Sequence, residues 1–309
     1  MANGMGSLYI GNSGLRSSQD AMNTVANNLA NVNTKGYVRQ QVVFRDTSYL
    51  SVGYSPNSYK KLTGLGTSIG SLVHARDVFL DKAYRKDNGR QAYYEASFEA
   101  VDEVYNFFQE MEGTAFQQIL TGKTSLWQSF QELAKDPSDT VNQNLVIQKA
   151  GLFISRAQSV VQGLIDYQDS VNRQISDCID EINDYAKQIY EWNNRIQTIE
   201  GGGREIAMNE RDARDYALDQ LSKYGNITYE ESATGAVSVK FEGELLVDDL
   251  FCYEIGKLRE PETGYITPYW PHLSNPAGGR YTHVLDFSRE INSNYDTDIG
   301  QLKALVTGL

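Results

Sequence analysis

The sequence predicts a mainly α-helical protein, an elongated antiparallel helical bundle or coiled coil with a terminal helix and a smaller β-rich domain. Between Ile147 and Ile199, apolar residues recur every seven positions in two series, and no proline interrupts them. At ~1.5 Å per residue, this segment forms a rod about 80 Å long. A helix of that length needs another long helix beside it. After Gly225 the apolar period changes to two, which indicates strands.

Both heptad series place their residues on one stripe of the long helix. Cys178 lies in this stripe, where it is expected to be a small buried hydrophobe rather than a disulfide partner. The predicted coiled-coil core comprises Ile175, Cys178, Ile182, Tyr185, Ile189, Trp192 and Ile196. The earlier positions of the same stripe are Ile147, Ala150, Ile154, Ala157, Val161, Leu164, Gln168 and Val171.

The first 35 residues have a seven-residue rhythm of their own, formed by Leu8, Leu15, Met22 and Leu29. Glycines between them weaken an isolated helix by up to ~1 kcal/mol each. Such a helix is expected to form only when it packs against a partner. We therefore predict that these four residues form a subunit interface. Asn and Gly tolerate left-handed backbone, so the run of residues 33–36 predicts the end of this helix.

Three domains are predicted, at residues 1–45, 46–225 and 226–309. Residues 38–73 favour irregular chain with short strands. Helices are predicted at about 77–111 and 114–133, and Asp139 or Thr140 can cap the long helix. The glycine triplet at 201–203 ends that helix, and a shorter helix follows at 209–224. Helices joined by short turns predict antiparallel neighbours.

Charge is distributed unevenly along the 309 residues, whose net charge is −12. Residues 1–90 hold eleven Lys or Arg against five Asp and no Glu, a balance of +6, and the remainder has a balance of −18. An acidic body argues against nucleic acid as the main partner. No apolar run approaches the ~18 residues of a membrane span, so membrane insertion is not expected. The first residues do not have the pattern of a cleaved signal peptide.

Three patterns suggest chemistry, and each fails on its context. The glycines from Gly64 to Gly70 are similar to a dinucleotide-binding loop, but their last spacing is one residue too long and no βαβ unit surrounds them. The triplet at 201–203 lacks the Lys-Ser or Lys-Thr of a phosphate loop. The three histidines lie far apart, and adjacent carboxylates in a strand point to opposite faces. We predict no catalytic residue, no cofactor and no metal.

The N-terminal residues resemble the signature of bacterial flagellar rod, hook and hook-associated proteins. This family motif comprises Ala26, Asn27, Asn28, Leu29, Ala30, Asn31, Asn33, Thr34, Gly36, Tyr37 and Arg39. Segments at 64–85, 209–221 and 235–248 resemble the hook-associated proteins of the hook–filament junction more narrowly. His74 departs from that pattern, because the family often has Arg there. Residues 251–309 resemble no family that we can identify.

The resemblance implies a structural adaptor outside the cell that joins hook to filament. It implies export through the flagellar type III apparatus, self-assembly into a ring or tube, and contacts with the hook protein, the next hook-associated protein and an export chaperone. Chains of this family are longer and end in helices that return to the N-terminal ones. The sequence is therefore expected to be a truncated chain or a short member, with the chaperone contact in a C-terminal part beyond residue 309.

Alternative functions follow from other features of the chain. Another axial subunit of hook or rod would have only short helices between residues 77 and 199. An exported adhesin would use a concave aromatic patch around Trp270 as its ligand surface. An enzyme, such as a wall hydrolase carried on an axial protein, would need a carboxylate in a cleft.

Overall fold

The computed structural model describes residues 2–54, 60–108, 116–122, 125–202 and 206–308. These residues divide into two compact units, each formed by two stretches of the chain. Unit 1 contains Met1–Ala83 and Asn194–Ala217, and unit 2 contains Tyr84–Asn193 and Leu218–Leu309. No helix among the described residues is long and apolar enough to cross a membrane.

In unit 1, a 29-residue helix lies beside two antiparallel strand pairs. The helix is α1 (Ala2–Ala30), and the strands are β1 (Gln40–Asp46), β2 (Leu50–Tyr54), β3 (Lys60–Thr63) and β4 (Thr67–His74). β1 pairs with β4, and β2 pairs with β3. Ser17 of α1 is buried against β4, where its hydroxyl donates to the Thr67 carbonyl over 3.2 Å. Residues 38–73 are thus more regular than the sequence predicts, because α1 covers one face of the long β1–β4 pair.

The helices after β4 follow the predicted order. They are α2 (Val78–Phe108), α3 (Phe116–Thr121), α4 (Leu126–Lys135), α5 (Thr140–Glu200) and α6 (Met208–Leu221). The single helix expected at 114–133 is two helices instead, because Ser125 caps a new one by accepting the backbone N–H of Gln128. Asp139 accepts the N–H of Val141 over 2.9 Å at the start of α5.

The 61-residue helix α5 buries only the C-terminal half of its apolar stripe. Ile175, Ile182, Ile189 and Ile196 are fully buried, and Cys178 is nearly so. Tyr185 and Trp192 are only half-buried, and the second buried series runs one position later, through Ile179, Ala186 and Asn193. Both second series repeat every seven residues, so they differ only in which of two neighbouring positions faces the core. The earlier Ile147, Ile154 and Val161 are all more than half exposed.

Asparagine side chains fix α5 to the β segments of unit 2. The amide of Asn193 accepts the Val237 N–H over 3.0 Å and donates to the Val237 carbonyl over 2.8 Å. Asn183 makes the same two bonds with Ile255, and Asn172 bonds the Ile266 N–H and the Gly264 carbonyl. An Asn amide presents an N–H donor beside a carbonyl acceptor, as a peptide group does. Each asparagine therefore sets the position of one β segment along the helix.

Residues 226–309 form small sheets and a short helix. β5 (Ile227–Glu231), β6 (Val237–Phe241) and β7 (Glu244–Val247) make an antiparallel sheet, and β8 (Gly256–Arg259) pairs with β9 (Ile266–Tyr269). Three 3-10 turns and α7 (Gln301–Thr307) follow. The fully buried Trp270, Phe241 and Leu246 belong to the core. Lys303 of α7 pairs with Glu242 over 3.1 Å with both side chains buried.

Replacing Asn193 by alanine should destabilise unit 2. The change leaves the Val237 N–H and carbonyl without their side-chain partner at a site that is 1% exposed. Each buried group left unpaired costs about 1–3 kcal/mol. Asn194→Ala, at the exposed neighbouring position, should cost little. Urea unfolding of the two variants measures the difference, and equal midpoints would contradict this role of Asn193.

Candidate assembly interface

The predicted stripe of α1 is exposed along its whole length. Leu8, Leu15, Met22 and Leu29 are each 72% exposed. The opposite side of the helix contacts β4, where Ser13 and Ser17 bond Thr67. An apolar row on an ordered helix is stabilised when a partner removes it from water, by about 25 cal/mol per Å². The stripe has the character of an interface that the described residues do not cover.

The family motif makes the turn that follows α1. The Asn28 amide accepts the Tyr37 hydroxyl over 2.8 Å and the Gln40 N–H over 2.9 Å, and it donates to the Gln40 carbonyl over 2.8 Å. Asn31 donates to the Asn27 side chain over 2.9 Å and accepts from Thr34 over 3.2 Å. These bonds join side-chain amides at the end of α1 to each other and to residues of the following turn. The amides thus fix the direction in which the chain leaves α1.

The remaining motif residues lie around this network. Leu29, Ala26, Ala30, Asn33 and Arg39 are exposed, and the Arg39 carbonyl accepts the Ala75 N–H over 2.9 Å. The pKa of the Tyr37 hydroxyl is raised, mainly by burial and to a smaller extent by the charge of Asp212. Beside the network, a cavity of ≈ 700 Å³ lies between α1 and β1. Its apolar lining includes Val25, Leu29, Val32 and Phe44, which extends the exposed stripe toward β1.

The turn of the motif lies on α6, within unit 1. Asp212 accepts the Val38 N–H over 3.2 Å, and Gly36 lies against the Tyr216 ring with φ +80. A β-carbon at Gly36 would come within 2.8 Å of the Tyr216 β-carbon. Left-handed backbone and this close approach both require glycine here. The motif is therefore part of a packed contact as well as a helix end.

A charged cluster surrounds Asp212. His74 Nε2 lies 3.5 Å from the Asp212 carboxylate, and Arg76 contacts Asp81 and lies 3.1 Å from Asp215. Burial is the largest effect on Asp212 and raises its pKa, although the Val38 N–H and His74 act in the opposite direction. His74, at the position where the sequence departs from the family pattern, thus lies beside the carboxylate of Asp212. Its distance is longer than a good hydrogen bond.

Sequence reasoning did not assign Asp212, Tyr216 or His74 to this contact. One signal in the sequence is that Asp215 and Tyr216 follow Asp212 by three and four positions. Residues at these spacings share one face of a helix, so the three predict a common contact surface. What the sequence does not contain is the pairing of that face with a segment about 175 positions earlier. The two ends of the contact belong to different stretches of unit 1.

The features considered for chemistry have structural positions. Residues from Thr67 to Gly70 of the glycine-rich segment are part of β4. Gly203 of the triplet lies outside the described residues, and Gly201 and Gly202 follow the end of α5. Across the part of the chain that the structure describes, no three His, Cys, Asp or Glu are placed to hold a metal ion. An open groove of ≈ 630 Å³ between α2 and α5 is lined by Glu99, Asp102, Glu103 and Asp166.

Comparison with known proteins places the chain in a family. Residues 101–306 match the family model described as the flagellar hook-associated protein FlgK helical domain. The chain belongs to the FlgK family. Residues 8–37 also match the family model of the flagella basal body rod protein. The family match covers the helices and β segments of residues 101–306, including 251–306, for which the sequence shows us no resemblance.

Individual relatives agree with the FlgK assignment. Flagellar hook-associated protein 1 of Bacillus subtilis is 28% identical over 240 residues, which are 76% of this chain and 46% of that protein. The Escherichia coli protein of the same name is 27% identical over 213 residues, 68% of this chain and 37% of its own length. The chain thus spans less than half the length of these relatives.

A solved structure shares the fold. The flagellar hook junction protein FlgK from Burkholderia pseudomallei superposes with a TM-score of 0.55 at 21% identity. The match covers 74% of this chain and 38% of that one. The mainly helical architecture with a smaller β region is therefore that of a FlgK protein.

Gly36→Ala should destabilise unit 1. Left-handed backbone destabilises a residue with a β-carbon by about 1–2 kcal/mol. The overlap of that β-carbon with Tyr216 adds about 1–3 kcal/mol. Gly11→Ala is the matched control, because a β-carbon there meets nothing within 4 Å and alanine favours a helix. Chemical unfolding should place G36A below and G11A at or above the parent chain. G36A at the parent's midpoint would contradict the packed contact.

Asp212→Asn should change how stability depends on pH. Because the folded pKa of Asp212 is raised, the folded state keeps its proton to higher pH than the unfolded state does. The contribution of Asp212 to stability is therefore present at low pH and is lost as pH rises through its folded pKa. Urea unfolding between about pH 7 and pH 4 should show the parent gaining stability relative to D212N as pH falls. The opposite trend would mean that the charged form is the stabilising one.

Proposed function

We propose that this protein is a structural subunit of the bacterial flagellum that joins the hook to the filament. The observation that carries the proposal is the order of two matches in one chain. A rod-type signature at residues 8–37 precedes a FlgK helical domain at residues 101–306. The signature favours membership of an axial structure, and the helical domain favours the junction within it.

The geometry of α1 supports assembly as the mode of action. Four large apolar side chains at seven-residue spacing are each 72% exposed on a helix whose other side packs on β4. Seven-residue spacing is typical of a seam between helices. In the proposed role, this seam contacts other helices of the inner tube, and the amides of Asn27, Asn28 and Asn31 hold the end of α1 in the required direction.

The partners follow from the same role. They are further copies of this chain in a ring or tube, the hook protein, the next hook-associated protein and an export chaperone. The protein would leave the cell through the flagellar type III apparatus and act outside it. Its function is mechanical, which agrees with a family known for structural flagellar proteins. Stiff elements for such a role are present, since α2 has 31 residues and α5 has 61.

Two alternatives lose support from the structure. A hook or rod subunit would have only short helices between residues 77 and 199, and α2 and α5 are long. The adhesin alternative requires a ligand surface around Trp270, and the Trp270 side chain is 0% exposed.

Deleting the gene tests the junction role. Cells without it should make hooks that lack filaments and should release filament protein into the medium, and the full-length gene should restore swimming. Negative-stain electron microscopy and the filament protein in the medium are the readouts. Normal filaments with impaired attachment to surfaces would overturn the proposal in favour of an adhesin.

Leu15→Asp should abolish filament attachment without unfolding the chain. Leu15 is already exposed, so an aspartate there costs little folding stability, whereas it places a charge in the proposed seam. Asn23→Asp introduces the same charge at an exposed position on another side of α1. Electron microscopy of cells carrying each variant should show bare hooks for L15D and filaments for N23D. Filaments on both would show that the stripe is not an interface.

A further inference from the structure

The segment at residues 291–308 contacts both α2 and the turn that follows α6, all within unit 2. It contains the last 3-10 turn and α7, and we call it the strap. Its residues Ile299, Leu302, Ala304 and Leu305 are almost fully buried. The strap is therefore part of the interior of unit 2, although α2 lies far earlier in the chain.

Backbone hydrogen bonds hold the strap where α7 begins. The Gly300 N–H donates to the Gly89 carbonyl of α2 over 2.9 Å. The Gln301 N–H donates to the Lys223 carbonyl, just after α6, over 2.8 Å. The first N–H groups of a helix have no partner within that helix. Here the backbone of two other segments accepts their hydrogen bonds, so the start of α7 joins α2 to the end of α6.

Close packing at this junction leaves no room for side chains. Gly300 has φ +101, and a β-carbon there would come within 2.5 Å of the Gly225 α-carbon. A β-carbon at Gly89 would come within 2.6 Å of the Ile299 side chain. Left-handed backbone and close approach together require glycine at position 300. The strap thus fits against α2 in one defined position.

The buried face of α2 packs on the strap. Among the described residues of α2 after position 88, the buried ones are Gly89, Tyr93 and Ala96, which follow helical spacing along one side. Tyr93 and Ala96 form an apolar cluster with Ala304 of α7, and Ile291 packs against it. All three buried positions of this part of α2 therefore contact the strap.

Charged and polar contacts join the same two elements. Arg90 of α2 bonds Asp298 over 3.1 Å and Asp296 over 3.0 Å, and the Tyr94 hydroxyl donates to Asp298 over 3.0 Å. Asp298 is fully buried. Its burial acts to raise the pKa, but the bonds from Ser293, Tyr94 and Arg90 outweigh it, so the pKa of Asp298 is lowered. A buried carboxylate that stays charged depends strongly on its partner.

We propose that the strap is a lock that holds α2 in unit 2 from Gly89 onward. When the strap leaves its site, this part of α2 loses its buried and its charged contacts together. A described contact with α5, from the Tyr167 hydroxyl to the Ala100 carbonyl, is 3.5 Å long and weak. Asp298 follows Arg90 by 208 positions, so local structure forms before the lock closes. The strap and this part of α2 open and close as one unit.

Hydrogen exchange of the full chain, measured by mass spectrometry, tests the lock. Gly300→Ala opposes docking of the strap, so exchange should become about tenfold faster at residues 89–100 as well as at 298–305. Gly279→Ala is the matched control, because its backbone is also left-handed but a β-carbon there meets nothing within 4 Å. This control should leave both segments protected. Residues 67–74 of β4 and 175–196 of α5 should exchange at the parent's rate in both variants.

Two results with Gly300→Ala would overturn the lock. One is faster exchange at 298–305 with residues 89–100 unchanged, which would make the strap a peripheral addition. The other is an equal loss of protection at 175–196, which would mean that unit 2 opens as a whole. The lock goes beyond the proposed function and is measured on the isolated protein, so it can fail while the junction role stands.

A second variant tests the lock without changing the backbone. Arg90→Gln should speed exchange in both segments, because Asp298 then remains buried without its charged partner. Asp298→Asn in the same chain should restore most of the protection, since neither charge remains. Faster exchange in α2 alone, or a double variant no better protected than Arg90→Gln, would count against the lock.

Discussion

The amide groups of α5 determine how unit 2 is built, because they fix β segments at three positions along one helix. Asn172, Asn183 and Asn193 each bond both an N–H and a carbonyl of the backbone opposite. Hydrophobic contact is non-directional and would allow a segment to slide along an isoleucine-rich surface. An amide that replaces a peptide partner does not allow it, because a shift by one residue leaves a donor and an acceptor unpaired.

The same chemistry appears at the end of α1, where Asn28 bonds the backbone of Gln40 through both its donor and its acceptor. When a helix ends in solvent, its last carbonyls can accept hydrogen bonds from any of the surrounding water molecules. Here the side-chain amides of residues 27, 28 and 31 occupy fixed positions in the turn, and Gly36 allows the turn to pack on Tyr216. The direction of α1 relative to the rest of unit 1 is therefore determined by hydrogen bonds and by one glycine, and the exposed stripe contributes nothing to it.

How far the sequence could predict these features depends on how local each one is. The existence of α5, its cap and its end follow from periodicity, Asp139 and glycine, which are signals within a few residues. The shift of the second buried series from Tyr185 and Trp192 to the next positions, Ala186 and Asn193, does not follow from such signals. That shift arises because the side of α5 that carries Asn193 packs on the β segment at Val237, which is 44 positions away in the sequence. The contact between Val38 and Asp212 was also beyond sequence reasoning, since nothing local pairs a turn with a helix face 174 residues away.

The exposed apolar stripe of α1 lies on a helix that its glycines weaken. The α1 stripe is flanked by Gly11 and Gly14, where a β-carbon would meet nothing within 4 Å, so the packing of this chain does not require either glycine. Each glycine costs a helix about 1 kcal/mol relative to alanine. A helix weakened in this way gains most of its order from the contact that covers it. The helix α5, in contrast, is already stabilised by the buried residues of its C-terminal half. The proposed assembly contact would therefore add more order to α1 than to α5.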